Sequence, residues 1–92
     1  MTLLEAIRGL DSLDERGTIY AAEPWSATSC VVIALETESG EHTAEAGIQG
    51  LTYFLEISVA REFLEGWIAN LGRVPSLEEK ASRLIQYART DA

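Results

Sequence analysis

The most regular stretch of the chain is residues 51–71, where the spacing of apolar positions changes partway along. Leu51, Tyr53, Leu55 and Ile57 alternate with Thr52, Phe54 and Glu56, the period of two expected of a strand with one buried face. Ala60, Phe63, Leu64, Trp67, Ile68 and Leu71 then fall three and four apart, which aligns them on one side of a helix. Ser58 is the expected start of that helix, its hydroxyl accepting from an otherwise unpaired amide, and Gly72 the expected left-handed stop. Trp67, Phe63 and Leu64 read as packing residues.

The same reading extends over the rest of the chain. Thr2 and Glu5 form a capping-box pattern ahead of Leu3, Ile7 and Leu10, so a short helix is expected to end near residue 9. Leu13 fits a plug at the core edge, and Gly17 a turn. Thr18–Ala22 is β-prone and is stopped by Pro24. Ser29–Leu35, with Val31, Val32 and Ile33 in sequence, predicts a strand covered on both faces or central in its sheet. Residues 37–50 have no strand pattern and make a connection long enough to be a working surface. Arg73-Val-Pro75 turns the chain into a second capping box, Ser76 with Glu79. Leu77, Ala81, Leu84, Ile85 and Ala88 keep helical spacing beyond it, Glu79 and Arg83 are placed to pair, and residues 90–92 are expected to fray. The predicted fold class is α+β, one domain over residues 1–92 in the order α-β-β-β-α-α. It has a three-stranded antiparallel sheet with helices packed mainly on one face.

Charge changes this picture. The chain carries a net −8, and residues 1–57 hold ten acidic and two basic side chains while residues 58–92 hold five of each. The imbalance therefore belongs entirely to the sheet-forming part. A field of that sign repels phosphate backbones and anionic lipid and attracts basic partners, so direct nucleic-acid binding and membrane association are not expected. The longest apolar run, Cys30–Leu35, is far too short to span a bilayer, and one cysteine cannot make an internal disulfide, so a soluble cytoplasmic protein is expected.

Several runs resemble a known group of proteins: Thr18-Ile-Tyr-Ala-Ala-Glu-Pro-Trp25, Tyr53-Phe-Leu-Glu56, Ala60-Arg-Glu-Phe-Leu-Glu65, Pro75-Ser-Leu-Glu-Glu-Lys80 and Ile85-Gln-Tyr-Ala88. They are similar to a family of short stand-alone bacterial proteins of unknown function, and the resemblance carries no catalytic or binding residue with it. In size, acidity and layout the chain also resembles the small acidic immunity proteins that neutralise bacterial toxins.

Chemistry-bearing patterns are sparse. Cys30 heads the Val-Val-Ile run without a cationic neighbour in sequence and reads as a buried small hydrophobe. His42, the single histidine, lies between Glu41 and Glu45, but that set lacks the ligand count of a metal site, and no cofactor is expected. Gly47-Ile-Gln-Gly50 has the spacing of a phosphate-clamping loop without its basic flanks. No nucleotide-cradling motif and no G-x-S-x-G elbow occurs, so catalysis ranks below binding. The candidate partner-binding residues are Tyr20, Glu23, Trp25, Glu36, Glu38, Glu41, His42 and Glu45, Trp25 being either a core plug or an exposed anchor. Tyr87 falls off the main stripe as an edge or contact residue. Three functions follow: an acidic binding or inhibitory module for a basic protein partner, a homodimer joined through an edge strand or the Trp25 region, or a small enzyme with its site beside residues 37–50.

Overall fold

In a computed structural model, which describes residues 1–35 and 50–91, the chain forms α1 (Leu3–Arg8), a 3₁₀ turn (Leu10–Ser12), β1 (Gly17–Ala21), β2 (Val31–Leu35), β3 (Thr52–Glu56), α2 (Ile57–Leu71) and α3 (Leu77–Asp91). This is the α+β order read from the sequence, and the sheet is three-stranded and antiparallel. The strands lie side by side in the order β2-β1-β3. One core is shared by Ile19, Ala21, Val31, Phe54 and Leu55 of the sheet region and by Leu3, Ile7, Leu64, Leu84 and Ile85 of the helices.

The Val-rich segment, expected to be central or covered on both faces, has Val32 and Ile33 only partly buried, and the centre of the sheet is β1. Its Ile19 and Ala21 are fully buried and it bonds a neighbour on each side. β2 lies at an edge, and its start is bonded by the chain's first residues. Val31 N–H donates to Met1 O (2.8 Å), Leu3 N–H to Ser29 O (2.9 Å) and Leu4 N–H to Ala27 O (3.0 Å). These bonds dock α1, which at six residues is too short to hold a helix by itself. Both halves of the Thr2–Glu5 capping box are made, at 2.8 and 3.2 Å. Cys30 is exposed rather than buried. With Val31 turned into the core opposite Ala21, strand alternation sends its neighbour outward, where it bridges Thr2.

The alternation expected in β3 is broken. Ile19 faces Leu55 but Tyr20 faces Tyr53, so Phe54 is an extra residue in the ladder, a β-bulge. Two consecutive side chains, Phe54 and Leu55, are consequently buried, while Tyr53 is 48% exposed. The strand passes directly into α2 at Ile57, with no side-chain cap and with Ser58 already inside the first turn. Ile57 is fully buried, so core packing rather than a serine hydroxyl sets where the helix begins. Gly72 closes it at φ 78°, a left-handed conformation that a Cβ would strain. Gly17 is required for a different reason. A Cβ there would lie 2.8 Å from Ile33 Cγ2.

The second capping box is also made, Ser76 N–H donating to Glu79 Oε1 (3.0 Å) and Glu79 N–H to Ser76 Oγ (3.1 Å). Glu79 does not pair with Arg83. Arg73, brought round by the Gly72–Pro75 corner, takes both carboxylate oxygens at 3.0 and 2.6 Å. Arg83 instead lies over the Phe63 ring, 5.3 Å from its centroid, and donates to Gln86. α3 continues through Thr90, whose hydroxyl donates to Gln86 O.

Candidate functional site

The segment between β1 and β2 is held by one small buried side chain. Ser29 Oγ accepts from Ser26 N–H (2.9 Å) and donates to Pro24 O (3.2 Å), closing residues 24–29 into a compact turn. That turn sets Trp25 against the core. Its ring meets Phe54 edge to face, centroids 4.9 Å apart at 84°, in the geometry that aromatic quadrupoles favour. The indole Nε1–H donates to Thr52 Oγ1 (3.3 Å), whose own hydroxyl donates to Ala21 O (3.2 Å). Trp25 is half-buried. The two alternatives for it therefore combine: one part of the indole plugs the core edge and another forms a wall of a surface groove.

The groove runs between this turn and the outer side of α3, with a volume of about 590 Å³, and is lined by Trp25, Ser26, Ala27, Glu78, Ser82, Ile85, Gln86, Arg89 and Thr90. A second hollow of about 320 Å³ adjoins it through Trp25 and Arg89 and is completed by Glu23, Pro24 and Ala88. Trp25, Ala27 and Ile85 supply an apolar floor, and Ser26, Ser82 and Gln86 supply hydroxyl and amide groups along the sides. Glu23 and Arg89 share one end. Glu78 stands toward the other.

Of the residues singled out from the sequence, Glu23 and Trp25 are thus brought together, with α3 as an unforeseen third party. Tyr20 is placed elsewhere. Alternation along β1 turns it to the sheet face opposite Ile19 and Ala21, where its ring meets Tyr53 edge-on at 6.3 Å. Glu36, Glu38, Glu41, His42 and Glu45 lie outside the described residues, as does the rest of the 37–49 connection. The α3 wall was detectable in principle. Glu78, Ser82, Gln86 and Arg89 sit four, four and three apart, a polar helical stripe beside the apolar one.

Cations reach the acidic segment 11–15. Arg16 and Asp14 are paired at 3.0 Å, and hydrogen bonds from the Arg16 side chain and amide lower the Asp14 carboxyl to about 2. Arg61 of α2 crosses to the same segment and donates to the carbonyls of Leu10 (3.1 Å), Asp11 (3.1 Å) and Leu13. Asp11 and Glu15 remain exposed. A hollow of about 260 Å³ beside this anchor carries both signs, Arg8, Arg61 and Lys80 with Asp11 and Glu65.

Among the described residues, no group of three His, Cys, Asp or Glu side chains is placed to hold a metal ion, and no helix is long and apolar enough to cross a membrane. An aromatic wall, an apolar floor and a charged rim suit recognition of a side chain or a short segment. Comparison with known proteins finds no matching family model, no matching curated protein and no matching solved structure.

Proposed function

We propose that this protein is a small binding module for a basic protein partner, of the kind that immunity and inhibitor proteins represent. The observation that carries the reading is the charge distribution: the whole net −8 arises from residues 1–57. The docking face would draw on residues 11–15, Glu23 and the sequence 36–45. Such a complex associates quickly through electrostatic steering and loses that speed with salt, because exposed charges are screened over about 10 Å at 0.1 M. The test is affinity capture from native extract at low and high salt, repeated with Glu36, Glu38 and Glu41 all changed to Lys. A basic protein retained at low salt, released at high salt and lost with the triple variant is the expected result. Retention that ignores both salt and charge reversal would overturn the reading.

A second reading is favoured by one observation. Among the described residues β3 lies at an edge of the sheet, and Tyr53 on it is 48% exposed. Edge strands pair readily with copies of themselves. Under this reading light scattering at micromolar concentration gives twice the chain mass and Tyr53→Lys restores the monomer.

A further inference from the structure

The groove beside Trp25 differs in character from the rest of the acidic surface. It is concave and aromatic, and its charges are arranged along its length. Arg89 and Glu23 lie together at one end, so that end is close to neutral. Glu78, in the first turn of α3, is the charged residue toward the other end. Glu78 and Arg89 are eleven residues apart on one helix, which is about 16 Å at 1.5 Å per residue. An extended peptide advances about 3.3 Å per residue, so about five residues span that distance.

We infer that this groove receives an extended segment of about five residues from the basic partner. An apolar side chain of the segment lies against Trp25, Ala27 and Ile85, and a lysine or arginine meets Glu78. The inference rests on the proposed function for the sign of the partner's charge, and adds to it the place and form of recognition. Charge and shape agree on this occupant. A basic side chain at the Glu78 end finds a carboxylate with no ion-pair partner among the described residues, while an acidic one would meet repulsion. The Ser82 hydroxyl and the Gln86 amide N–H groups can bond the backbone of an extended chain, which exposes one donor and one acceptor per residue. Gln86 Oε1 already accepts from Arg83, and Ser26 Oγ already bonds Thr28 Oγ1. Trp25 is already fixed by its bond to Thr52 and its contact with Phe54, so little side-chain freedom remains to be lost when the groove fills.

The test uses the whole chain and two pools of pentapeptides, random except for a leucine at the fourth position and either lysine or glutamate at the first. The indole N–H resonance of Trp25, distinguished from that of Trp67 by a Trp67→Phe variant, reports occupancy. The lysine pool is expected to shift it saturably and the glutamate pool to leave it in place. Glu78→Lys should weaken the lysine pool about tenfold or more, and Ser82→Phe, which obstructs the groove between its two ends, should abolish the shift. Both residues are exposed, so thermal unfolding should be unchanged in Ser82→Phe. Glu78→Lys puts a cation in the first turn of α3 and should lower the midpoint by only a few degrees. Equal response to the two pools, no response to either, or full binding by Ser82→Phe would overturn the inference. Salt-sensitive capture of a basic partner that survives Ser82→Phe would also overturn it, leaving the acidic-face reading intact. Binding of the lysine pool without any salt-sensitive partner would sink that reading and leave the groove's preference standing.

Discussion

Residues 1–57 carry the whole net charge and also supply Phe54, Leu3, Ile19 and Ile57, four of the five largest fully buried side chains among the described residues. The helical part from residue 58 onward is electrically balanced and supplies only Leu84 to that set. Its other buried positions are mostly small, Ala60, Ala81 and Ala88 beside Leu64 and Ile85, while its aromatic residues Phe63, Trp67 and Tyr87 are half-buried. The acidic half is therefore also the structural centre, and the neutral half is a two-helix cover that approaches closely through alanines and keeps its large rings toward the rim. A surface built on the first half is consequently held by the most deeply packed part of the molecule. Trp25 shows this directly, resting on Phe54.

Changing one ring in each half gives the largest contrast. Phe54→Ala empties a fully enclosed site and should cost about 3–5 kcal/mol, the range for a buried phenylalanine lost from a core. It should also release Trp25, visible as a change in its fluorescence before any unfolding. Phe63→Ala removes a half-buried ring that stacks on Tyr87 at 4.1 Å, and should cost only about 1–2 kcal/mol. Urea denaturation of both variants measures the difference. Equal losses would mean that the two halves share the core evenly.

How much of this contrast the sequence displayed depends on what sets each element. The helices of the second half were legible because capping and periodicity are local. Ser76 and Glu79, Gly72, and the stripe from Ala60 to Leu71 act within a few residues of one another. The sheet was less legible because its decisive features involve pairing between distant segments. Nothing around Phe54 marks it as an extra residue in the ladder, and a bulge is defined only against Ile19 and Tyr20 across the sheet. Cys30 reads as buried in the sequence for the same reason, since its outward position follows from the pairing that turns Val31 inward opposite Ala21. For the site, Trp25 stands out in the sequence as a tryptophan after proline in a polar connection, a core plug or an exposed anchor, with Glu23 as a carboxylate beside it. The α3 wall is written in the sequence only as a polar helical stripe, which ordinarily faces solvent.

Arg61 joins the two halves, and its removal should have an intermediate effect. It leaves α2 and donates to three carbonyls around the 3₁₀ turn, a region with few other bonds to the helices. Hydrogen bonds from a charged donor contribute about 1.5–3 kcal/mol. Arg61→Met keeps most of the aliphatic stem, discards the donors, and should lower stability by about that amount, with faster amide exchange concentrated in residues 9–16. A uniform rise in exchange across the sheet would show instead that Arg61 supports the whole core rather than this one junction.

The smallest effect lies in the neutral half and is tied to pH. Hydrogen bonds from the Arg73 guanidinium first, and from the Ser76 amide next, lower the Glu79 carboxyl from its ordinary 4.5 to about 2. A carboxylate held lower in the folded protein than in the unfolded chain stabilises the fold above its ordinary value. That contribution is lost as pH falls from about 5 toward 2. The pair is exposed, 55% at Arg73 and 42% at Glu79, so solvent and salt screen much of it. Wild type should exceed Arg73→Ala in stability by a small margin at pH 7 and low salt, and the margin should shrink both at pH 2.5 and in 1 M salt. Asp14 follows the same direction in the acidic half through Arg16, so a Glu79-specific loss must be read as the difference between wild type and Arg73→Ala at each pH, in which the Asp14 contribution cancels. A margin that stays constant with pH would assign the role of Arg73 to packing at the Gly72–Pro75 corner. The stop of α2 and the start of α3 would then be fixed by Gly72 and the Ser76–Glu79 capping box without Arg73.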